Sequence, residues 1–264
     1  MIRGIYASGV GMKTNMNRMD VISNNLANVD TAGFKRELPV QRSFTEHLMH
    51  AIGGPGASVL GPTQIGQVRP GNFVDEVHLD FRNGALRQTG GQLDLAIVGD
   101  GFFSVSMTDQ QGQATTRYTR NGAFTLDSNQ QLRTMEGHLV QSASGGPITI
   151  PSGSEIAIAG NGAVYVRDPA DASLTLVDTI QIVSFENPQS LRQFGDNTFN
   201  TTAESVQTDF TGNVLSGHLE TSNVNIVREM VEMIAIQRNY EANQRVLTIA
   251  DTTLGRAVSE IAQR

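Results

Sequence analysis

The 264-residue chain contains no cysteine and no tryptophan, and its aromatic residues are few. Without cysteine, the chain can form neither disulfide bonds nor thiolate metal sites, and it has no cysteine nucleophile. No segment approaches the roughly 18 consecutive apolar residues of a membrane-spanning helix, so we expect no insertion into a membrane. The start of the chain lacks the apolar run of a secretory signal peptide, which predicts that any export proceeds without a cleaved signal peptide.

Basic residues are also in the minority, and the formal net charge is −7. A protein that binds nucleic acids normally has a basic face. The first 36 residues do contain five basic residues against two acidic ones, which fits either a nucleic-acid-binding arm or a solvated helix face. The second alternative is favoured, so we expect no binding to nucleic acids.

Residues that carry catalysis or hold cofactors are not grouped in recognisable patterns. His47 and His50 have the spacing of one helix face, but no further metal ligands lie at a compatible spacing. Gly99-Asp-Gly-Phe-Phe resembles part of a nucleotide-binding loop, yet a strand-like segment follows it instead of a helix, which favours a tight turn between strands. The sequence therefore predicts no catalytic, cofactor-binding or metal-binding residues, and no enzyme.

The two ends of the chain have helical periodicity with apolar residues about every 3.5 positions, the spacing of helices that pack along other helices. The first helix is predicted over residues 2–27 and the second over about 224–261, with Ser222 or Asn223 at its start. Both stripes are weakly apolar, and we predict that they form an assembly interface. Their members are Ile5, Gly9, Met12, Met16, Met19 and Leu26 in the first helix, and Val224, Val227, Val231, Ile234, Ala242, Val246 and Ile249 in the second.

The middle of the chain is typical of β structure. Asn-Gly pairs at Asn83, Asn121 and Asn161 predict type I′ hairpin turns. The similar segments 81–86 and 119–124 suggest either a duplicated hairpin or chance similarity in turn residues. Strands are predicted at 93–98, 102–107, 148–150, 155–158, 163–166 and 179–185, and a short helix is considered for 44–51.

These patterns predict an α+β protein with a long helix at each end and a β middle. The helical domain would comprise residues 1–33 and 220–264, the connecting region 34–72 and 200–219, and the central β domain 73–199. Such a chain is more typical of a structural subunit than of an enzyme.

Three segments resemble a known family. Asn24-Asn-Leu-Ala-Asn-Val-Asp-Thr-Ala-Gly-Phe-Lys-Arg is similar to the N-terminal motif of the bacterial flagellar axial proteins, which form the rod, hook and hook–filament junction. Gly217-His-Leu-Glu-Thr-Ser-Asn and Gln237-Arg-Asn-Tyr-Glu-Ala-Asn resemble the C-terminal motif of its rod and hook members. Leu95-Ala-Ile-Val-Gly-Asp-Gly-Phe-Phe and Tyr118-Thr-Arg-Asn-Gly-Ala-Phe resemble the central part of the same group.

The length favours a rod protein over a longer hook protein, with the distal type preferred and the proximal type as the alternative. The matching motif residues are Asn24, Asn25, Leu26, Ala27, Asn28, Thr31, Gly33, Phe34, Glu220, Thr221, Ser222, Asn223, Gln237, Arg238, Tyr240 and Glu241.

The resemblance implies that the paired terminal helices form one discontinuous helical domain. It also implies a structural subunit that polymerises helically into a periplasm-spanning drive shaft and transmits torque to the hook. The implied partners are further copies of the chain, neighbouring rod proteins, the hook protein, the surrounding rings and the flagellar export apparatus. The weak stripes then imply ends that are disordered in the isolated chain and fold on assembly. The alternative from a different class is a secreted enzyme or binding module on a β scaffold.

Overall fold

The computed structural model describes residues 2–44, 47–51, 63–68, 71–108, 113–151, 153, 155–167 and 173–262. The chain divides into two compact units. The helical unit comprises residues 1–27, 37–78 and 225–264, and the β unit comprises residues 28–36 and 79–224.

This division differs from the predicted domain bounds. Residues 37–78 group with the terminal helices instead of forming a separate connection, while 28–36 and 200–224 group with the β unit. The predicted α+β class agrees with the two terminal helices and the β-rich middle.

Helix α1 spans Ile2–Ala27, as predicted, and helix α2 spans Ile226–Ala262. Asn225 caps the start of α2, because its Oδ1 accepts a hydrogen bond from the Arg228 N–H at 3.0 Å. The prediction of Ser222 or Asn223 as the cap is therefore wrong, and the helix begins two residues later than expected. Within the described residues, neither helix is sufficiently long and apolar to cross a membrane.

The two helices of the helical unit pack antiparallel along a seam that is largely polar. On α1 this seam has 3-4-3-4-3 spacing, and its members are Ser8, Gly11, Asn15, Arg18, Ile22 and Asn25. Arg18 Nη2 lies 3.0 Å from Glu232 Oε1, and Asn25 Nδ2 lies 3.3 Å from Glu229 Oε2.

A β ribbon and a β hairpin complete the helical unit. Strands β1 (Glu37–Ser43) and β4 (Asn72–Leu79) pair with each other, as do β2 (His47–Ala51) and β3 (Thr63–Val68). The helix considered for 44–51 is wrong, because the backbone from His47 onward pairs antiparallel with β3 and such pairing overrides weak helix propensity. The connecting stretch between β2 and β3, residues 52–62, lies outside the described residues.

The other strands of the described chain belong to the β unit. They are β5 Leu86–Gln88, β6 Leu95–Val98, β7 Phe102–Thr108, β8 Ala114–Thr119, β9 Phe124–Leu126, β10 Leu132–Thr134, β11 Leu139–Val140, β12 Glu155–Ile158, β13 Ala163–Arg167, β14 Leu174–Thr179, β15 Ile182–Phe185, β16 Arg192–Gln193, β17 Thr198–Asn200, β18 Gln207–Asp209, β19 Asn213–Ser216 and β20 His218–Glu220. A 3₁₀ turn spans Pro188–Ser190.

The largest sheet of the β unit is built around β7. Its strand order is β16-β17-β8-β7-β11-β10-β9, and β15 pairs with both β7 and β18. Smaller sheets are formed by β12-β13-β14, by β19 with β6, and by β20 with β5.

Strand β7 places two adjacent phenylalanines in two different cores because successive side chains of a strand point to opposite faces. Phe103 is fully buried in a core that includes Leu95 and Phe124. Phe102 packs in a second core with Phe185 and Phe199. The interior of the β unit is therefore divided between two cores, one on each face of β7.

Two predicted strands need correction. Residues 148–150 make only an isolated bridge, between Thr149 and Gln131. The segment predicted as one strand over 179–185 divides between β14 and β15 at Ile180–Gln181. The segment 99–101 connects β6 to β7, as the prediction of a turn between strands requires.

The predicted type I′ turns are wrong. That turn needs positive φ at both central residues, and none of Asn83, Asn121 and Asn161 has one. Segments 81–86 and 119–124 are not hairpins either, since β4 pairs with β1 rather than β5, and β8 pairs with β7 and β17 rather than β9.

Candidate functional site

The N-terminal, central and C-terminal motifs meet in the β unit at a buried carboxylate, Glu220. Its Oε1 lies 2.7 Å from Lys35 Nζ, and its Oε2 lies 3.4 Å from Arg120 Nη1. The Gly84 N–H also donates to Oε1 at 2.8 Å. We call Lys35, Arg120 and Glu220 the charge cluster.

The charge cluster is almost inaccessible to water, with each side chain at most 2% exposed. Burial lowers the pKa of the Lys35 ammonium group, and the charge of Glu220 opposes part of that shift. Burial likewise lowers the pKa of the Arg120 guanidinium group. Because two cations share one carboxylate, main-chain oxygens supply further stabilisation: Arg82 O accepts from Lys35 Nζ at 3.0 Å, and Gly99 O accepts from Arg120 Nη2 at 2.8 Å.

Gly33 brings the N-terminal motif against the central motif. Its N–H donates to the Glu220 carbonyl oxygen at 2.8 Å, and its φ is +67°. A methyl group on Gly33 would lie 2.4 Å from the carbonyl carbon of Arg120. Glycine is therefore required here for both its conformation and its size.

Asn223 joins three separate segments of the β unit with its side-chain amide. Its Oδ1 accepts from the Arg36 N–H at 2.8 Å, while its Nδ2 donates to Asp80 O at 2.7 Å and to Arg82 O at 3.0 Å. The C-terminal motif thus hydrogen-bonds the main chain of two other segments, which holds all three together.

We expect Asn223→Ala to lower the free energy of unfolding of the β unit by about 2 kcal/mol, because three main-chain groups lose their partner. Urea denaturation followed by circular dichroism measures the effect. Asn187→Ala is the control, since Asn187 Oδ1 accepts one hydrogen bond, from the Gln189 N–H, and its loss should cost about 1 kcal/mol or less. A change at Asn223 no larger than that of the control would contradict the assignment.

Asn25 has a similar role within the helical unit. Its Nδ2 donates to Glu37 O at 2.9 Å, and its Oδ1 accepts from the Glu37 N–H at 2.8 Å. The side chain therefore pairs with β1 as a neighbouring strand would, and it also contacts Glu229 of α2. Asn24 Nδ2 donates to Glu37 Oε1 at 2.9 Å.

The other predicted motif residues fall into two groups. Some shape turns and contacts of the β unit: Thr31 N–H donates to Asn28 O, Phe34 is buried, Thr221 N–H donates to Ala85 O, and Ser222 Oγ accepts from Val224 N–H. The others lie on the helices, with Leu26 and Tyr240 half-buried and Ala27, Gln237, Arg238 and Glu241 exposed.

None of the predicted assembly residues on the two helices is buried in the single chain. On α1, Gly9 and Met16 are exposed, and Ile5, Met12, Met19 and Leu26 are half-buried. On α2, the exposed members are Val227, Val231, Ile234, Ala242, Val246 and Ile249. Val224 precedes α2 and is buried in the β unit, so its assignment to the helical stripe is wrong. The contact of the remaining predicted residues with neighbouring copies stays a prediction.

The predicted sites omit Lys35 and Arg120, although both stand inside segments that resemble the family. A buried charge has no local pattern, because its partner comes from a distant part of the chain. The available local signal was a charged residue two positions from a glycine, Lys35 after Gly33 and Arg120 before Gly122. No group of three or more His, Asp or Glu side chains in the described ranges is arranged to hold a metal ion.

Three models of flagellar protein families match segments of the chain, and these segments contain Lys35, Arg120 and Glu220, respectively. Residues 5–35 match "flagella basal body rod protein", 96–166 match the "flagellar hook protein FlgE/F/G D1 domain", and 215–260 match the "flagellar basal body rod FlgEFG protein C-terminal" family. The flagellar basal-body rod protein FlgG of Bacillus subtilis is 33% identical over 270 residues, covering 98% of this chain and 99% of that protein. The chain belongs to the flagellar basal-body rod protein family.

Other relatives support the same assignment. FlgG of Buchnera aphidicola subsp. Baizongia pistaciae is 34% identical, covering 96% of this chain and 98% of that protein. FlgF of Escherichia coli is 32% identical, with 97% of each chain covered. The FlgG relatives confirm the prediction of a rod protein of the distal type.

The chain is a structural subunit of the flagellar rod, which transmits torque to the hook, and it lies in the basal body. Its family is one of structural proteins, which confirms that it is not an enzyme. The charge cluster is accordingly a structural site that joins the three motifs.

Proposed function

We propose that the chain polymerises helically through its terminal helices to form a periplasm-spanning segment of the rod. The observation that carries this proposal is an exposed apolar stripe on α2, formed by Val227, Val231, Ile234, Val246 and Ile249. The side chains of these residues are between 47% and 71% exposed.

The stripe lies on a different face of α2 from the seam with α1. Among the residues of α2 whose burial the structure describes, the buried ones are Glu229 and Ile236, on the seam side. At about 100° per residue, Val227, Val231 and Ile234 lie on the opposite side of the helix. An exposed apolar surface of this extent on a soluble protein indicates an interaction site. A second helix that covers it would remove several β-branched side chains from water, which is favourable.

The length of α2 supports the same proposal. Its 37 residues extend about 55 Å, compared with about 39 Å for the 26 residues of α1. Because the helices run antiparallel from Asn25 beside Glu229, the C-terminal part of α2 extends beyond the start of α1. This overhang includes Val258 and Ile261, both exposed.

The partially polar seam explains why the helices would fold completely only on assembly. Arg18, Asn25 and Glu229 contribute hydrogen bonds, but they remove less apolar surface from water than an aliphatic seam would. Helices of this kind depend on further packing for stability. On this proposal, neighbouring copies supply that packing.

A contact in which one surface binds a different surface of the next copy generates a helical filament when successive copies do not close into a ring. The partners on this proposal are further copies, neighbouring rod proteins, the hook protein, the rings around the rod, and the export apparatus that delivers the unfolded chain. The basal-body family of the relatives supports these partners.

We expect the double variant Val231→Asp and Ile234→Asp to abolish rod assembly and motility, because two buried unpaired carboxylates would be costly at an interface between copies. The test expresses the variant in cells that lack the native chain, then scores swimming and the recovery of the chain in isolated basal bodies. The purified variant should keep the circular dichroism and urea denaturation of its β unit.

Gln244→Asp with Thr248→Asp is the matched control, since it adds the same charges to exposed polar positions of α2. The control should assemble more efficiently than the stripe variant. Normal motility of the Val231→Asp, Ile234→Asp variant would overturn the proposed interface.

A further inference from the structure

Five of the nine methionines of the chain lie on the two helices of the helical unit. They are Met12, Met16 and Met19 of α1, and Met230 and Met233 of α2. The chain contains no cysteine, so it has no thiol that would compete with these thioethers for an oxidant. More than half of its sulfur atoms are therefore on the helices that are proposed to contact other copies.

These methionines follow one flank of the helix pair. An open groove of about 440 Å³ runs along this flank and is lined by Asn15, Met16, Met19, Gln237, Tyr240 and Glu241. At about 100° per residue, Met230 lies about 20° from Gln237 around the axis of α2. Met233 likewise lies about 20° from Tyr240. The thioethers of both helices thus belong to the same side of the helical unit.

Two of the five methionines are open to solvent. Met16 is 55% exposed and Met230 is 50% exposed, whereas Met12, Met19 and Met233 are half-buried. A dissolved oxidant must reach the sulfur atom before it can react. The two exposed side chains should therefore be oxidised first.

We propose that Met16 and Met230 form a reversible oxidation site, at which hydrogen peroxide converts the thioethers to sulfoxides and so blocks addition of the chain to the rod. In each reaction the sulfur forms a bond to one peroxide oxygen while the O–O bond breaks, and the other oxygen leaves as water after proton transfer. The sulfur is oxidised and the peroxide is reduced, so no further reactant is needed. Methionine sulfoxide reductases reverse the change.

The position of both methionines links their oxidation to assembly. Met16 is one of the predicted assembly residues of α1, and Met230 lies about 60° from Val227 and about 40° from Ile234 around α2. Oxidation makes a flexible apolar side chain polar, and burying a polar group without a partner is costly. In the single chain the sulfoxides would stay in water, so the contacts between copies should weaken while the fold persists. This effect on assembly rests on the proposed function, whereas the oxidation itself does not.

The first test treats the purified chain with hydrogen peroxide and follows each methionine by peptide mass spectrometry. Sulfoxide should form at Met16 and Met230 at least about threefold faster than at Met12, Met19 and Met233. The oxidised chain should keep its native circular dichroism, and methionine sulfoxide reductase should restore the original mass. Equal rates at the exposed and half-buried methionines, or loss of helix content on oxidation, would overturn the proposal.

The second test imitates the polarity of the sulfoxides with Met16→Gln and Met230→Gln in cells that lack the native chain. We expect at least about fivefold lower recovery of this double variant in isolated basal bodies, because two polar groups would be buried between copies. Met16→Leu with Met230→Leu keeps both side chains apolar and should assemble normally. Met135→Gln is the matched control, since Met135 is 71% exposed but lies in the β unit, and it should also keep normal recovery.

Equal recovery of the glutamine double variant and the Met135→Gln control would overturn the oxidation site. Loss of helix content in the purified glutamine variant would overturn it as well, because the sulfoxides are expected to leave the fold intact. The Val231→Asp, Ile234→Asp variant separates the two proposals. If that variant fails to assemble while the glutamine variant assembles normally, the oxidation site is wrong and the proposed function stands.

Discussion

Replacing Glu220 by alanine should lower the free energy of unfolding of the β unit by about 3–5 kcal/mol. Lys35 and Arg120 would then remain buried as two cations without a carboxylate, and removing one partner of a buried ion pair is strongly destabilising. The Gly84 N–H would lose its acceptor as well. Urea denaturation of the full chain, followed by circular dichroism, measures the change.

The exposed pair of Arg167 and Glu155 provides the control. Their side-chain atoms lie 2.9 Å apart, but both side chains are about half exposed to water. Glu155→Ala should therefore cost less than about 1 kcal/mol. If Glu220→Ala costs no more than Glu155→Ala, the buried charge cluster does not stabilise the fold.

Replacing Lys35 by methionine in the Glu220→Ala chain refines this test. Of the two cations in the charge cluster, the double variant retains only Arg120, and it should recover part of the stability that Glu220→Ala loses. Equal stability of the single and double variants would show that Lys35 is not coupled to Glu220.

Replacing Gly122 by alanine should destabilise the β unit by about 3 kcal/mol or more, at or above the upper end of the usual cost of overpacking. A methyl group there would lie 1.8 Å from the carbonyl oxygen of Leu95 and 3.2 Å from the ring of Phe103. Leu95 and Phe103 both belong to the main core, so neither can move without disturbing other contacts. Thermal and urea denaturation should both show the loss.

Gly146→Ala is the matched control, because a methyl group at Gly146 would have no heavy atom within 4 Å. Its effect should lie within about 1 kcal/mol of zero, with a small stabilisation as the expected sign. Stability of the Gly122→Ala chain near that of Gly146→Ala would contradict the close approach of β6 to Gly122.

The sequence predicted α1 to its observed bounds because helix periodicity and the polar run from Asn24 to Asn28 are local properties. It also located β6, β7, β12 and β13. The two Asn-Gly pairs at Gly84 and Gly122 were misassigned, because a glycine required for close approach has the same local appearance as one required for a turn. Methyl groups there would lie 1.8 Å from Thr221 O and Leu95 O, respectively.

The sequence predicted that the two helices exist, but it did not predict which of their faces pack together. The predicted stripes follow the most apolar face, whereas the seam of one chain follows Asn15, Arg18 and Asn25. Polar seams are hard to recognise because hydrogen-bond partners on the other helix decide which face is buried. The charge cluster was missed for the same reason, since Lys35 and Glu220 are 185 residues apart.

The central proposal is that the exposed stripe of α2 becomes covered when copies assemble, and a single engineered cysteine tests it most directly. The chain contains no cysteine, so Val231→Cys introduces one thiol at a position that is 62% exposed in the single chain. Labelling with a maleimide should be complete for the purified chain and at least tenfold slower in isolated basal bodies. Equal labelling rates in both would contradict the proposal that other copies cover this face.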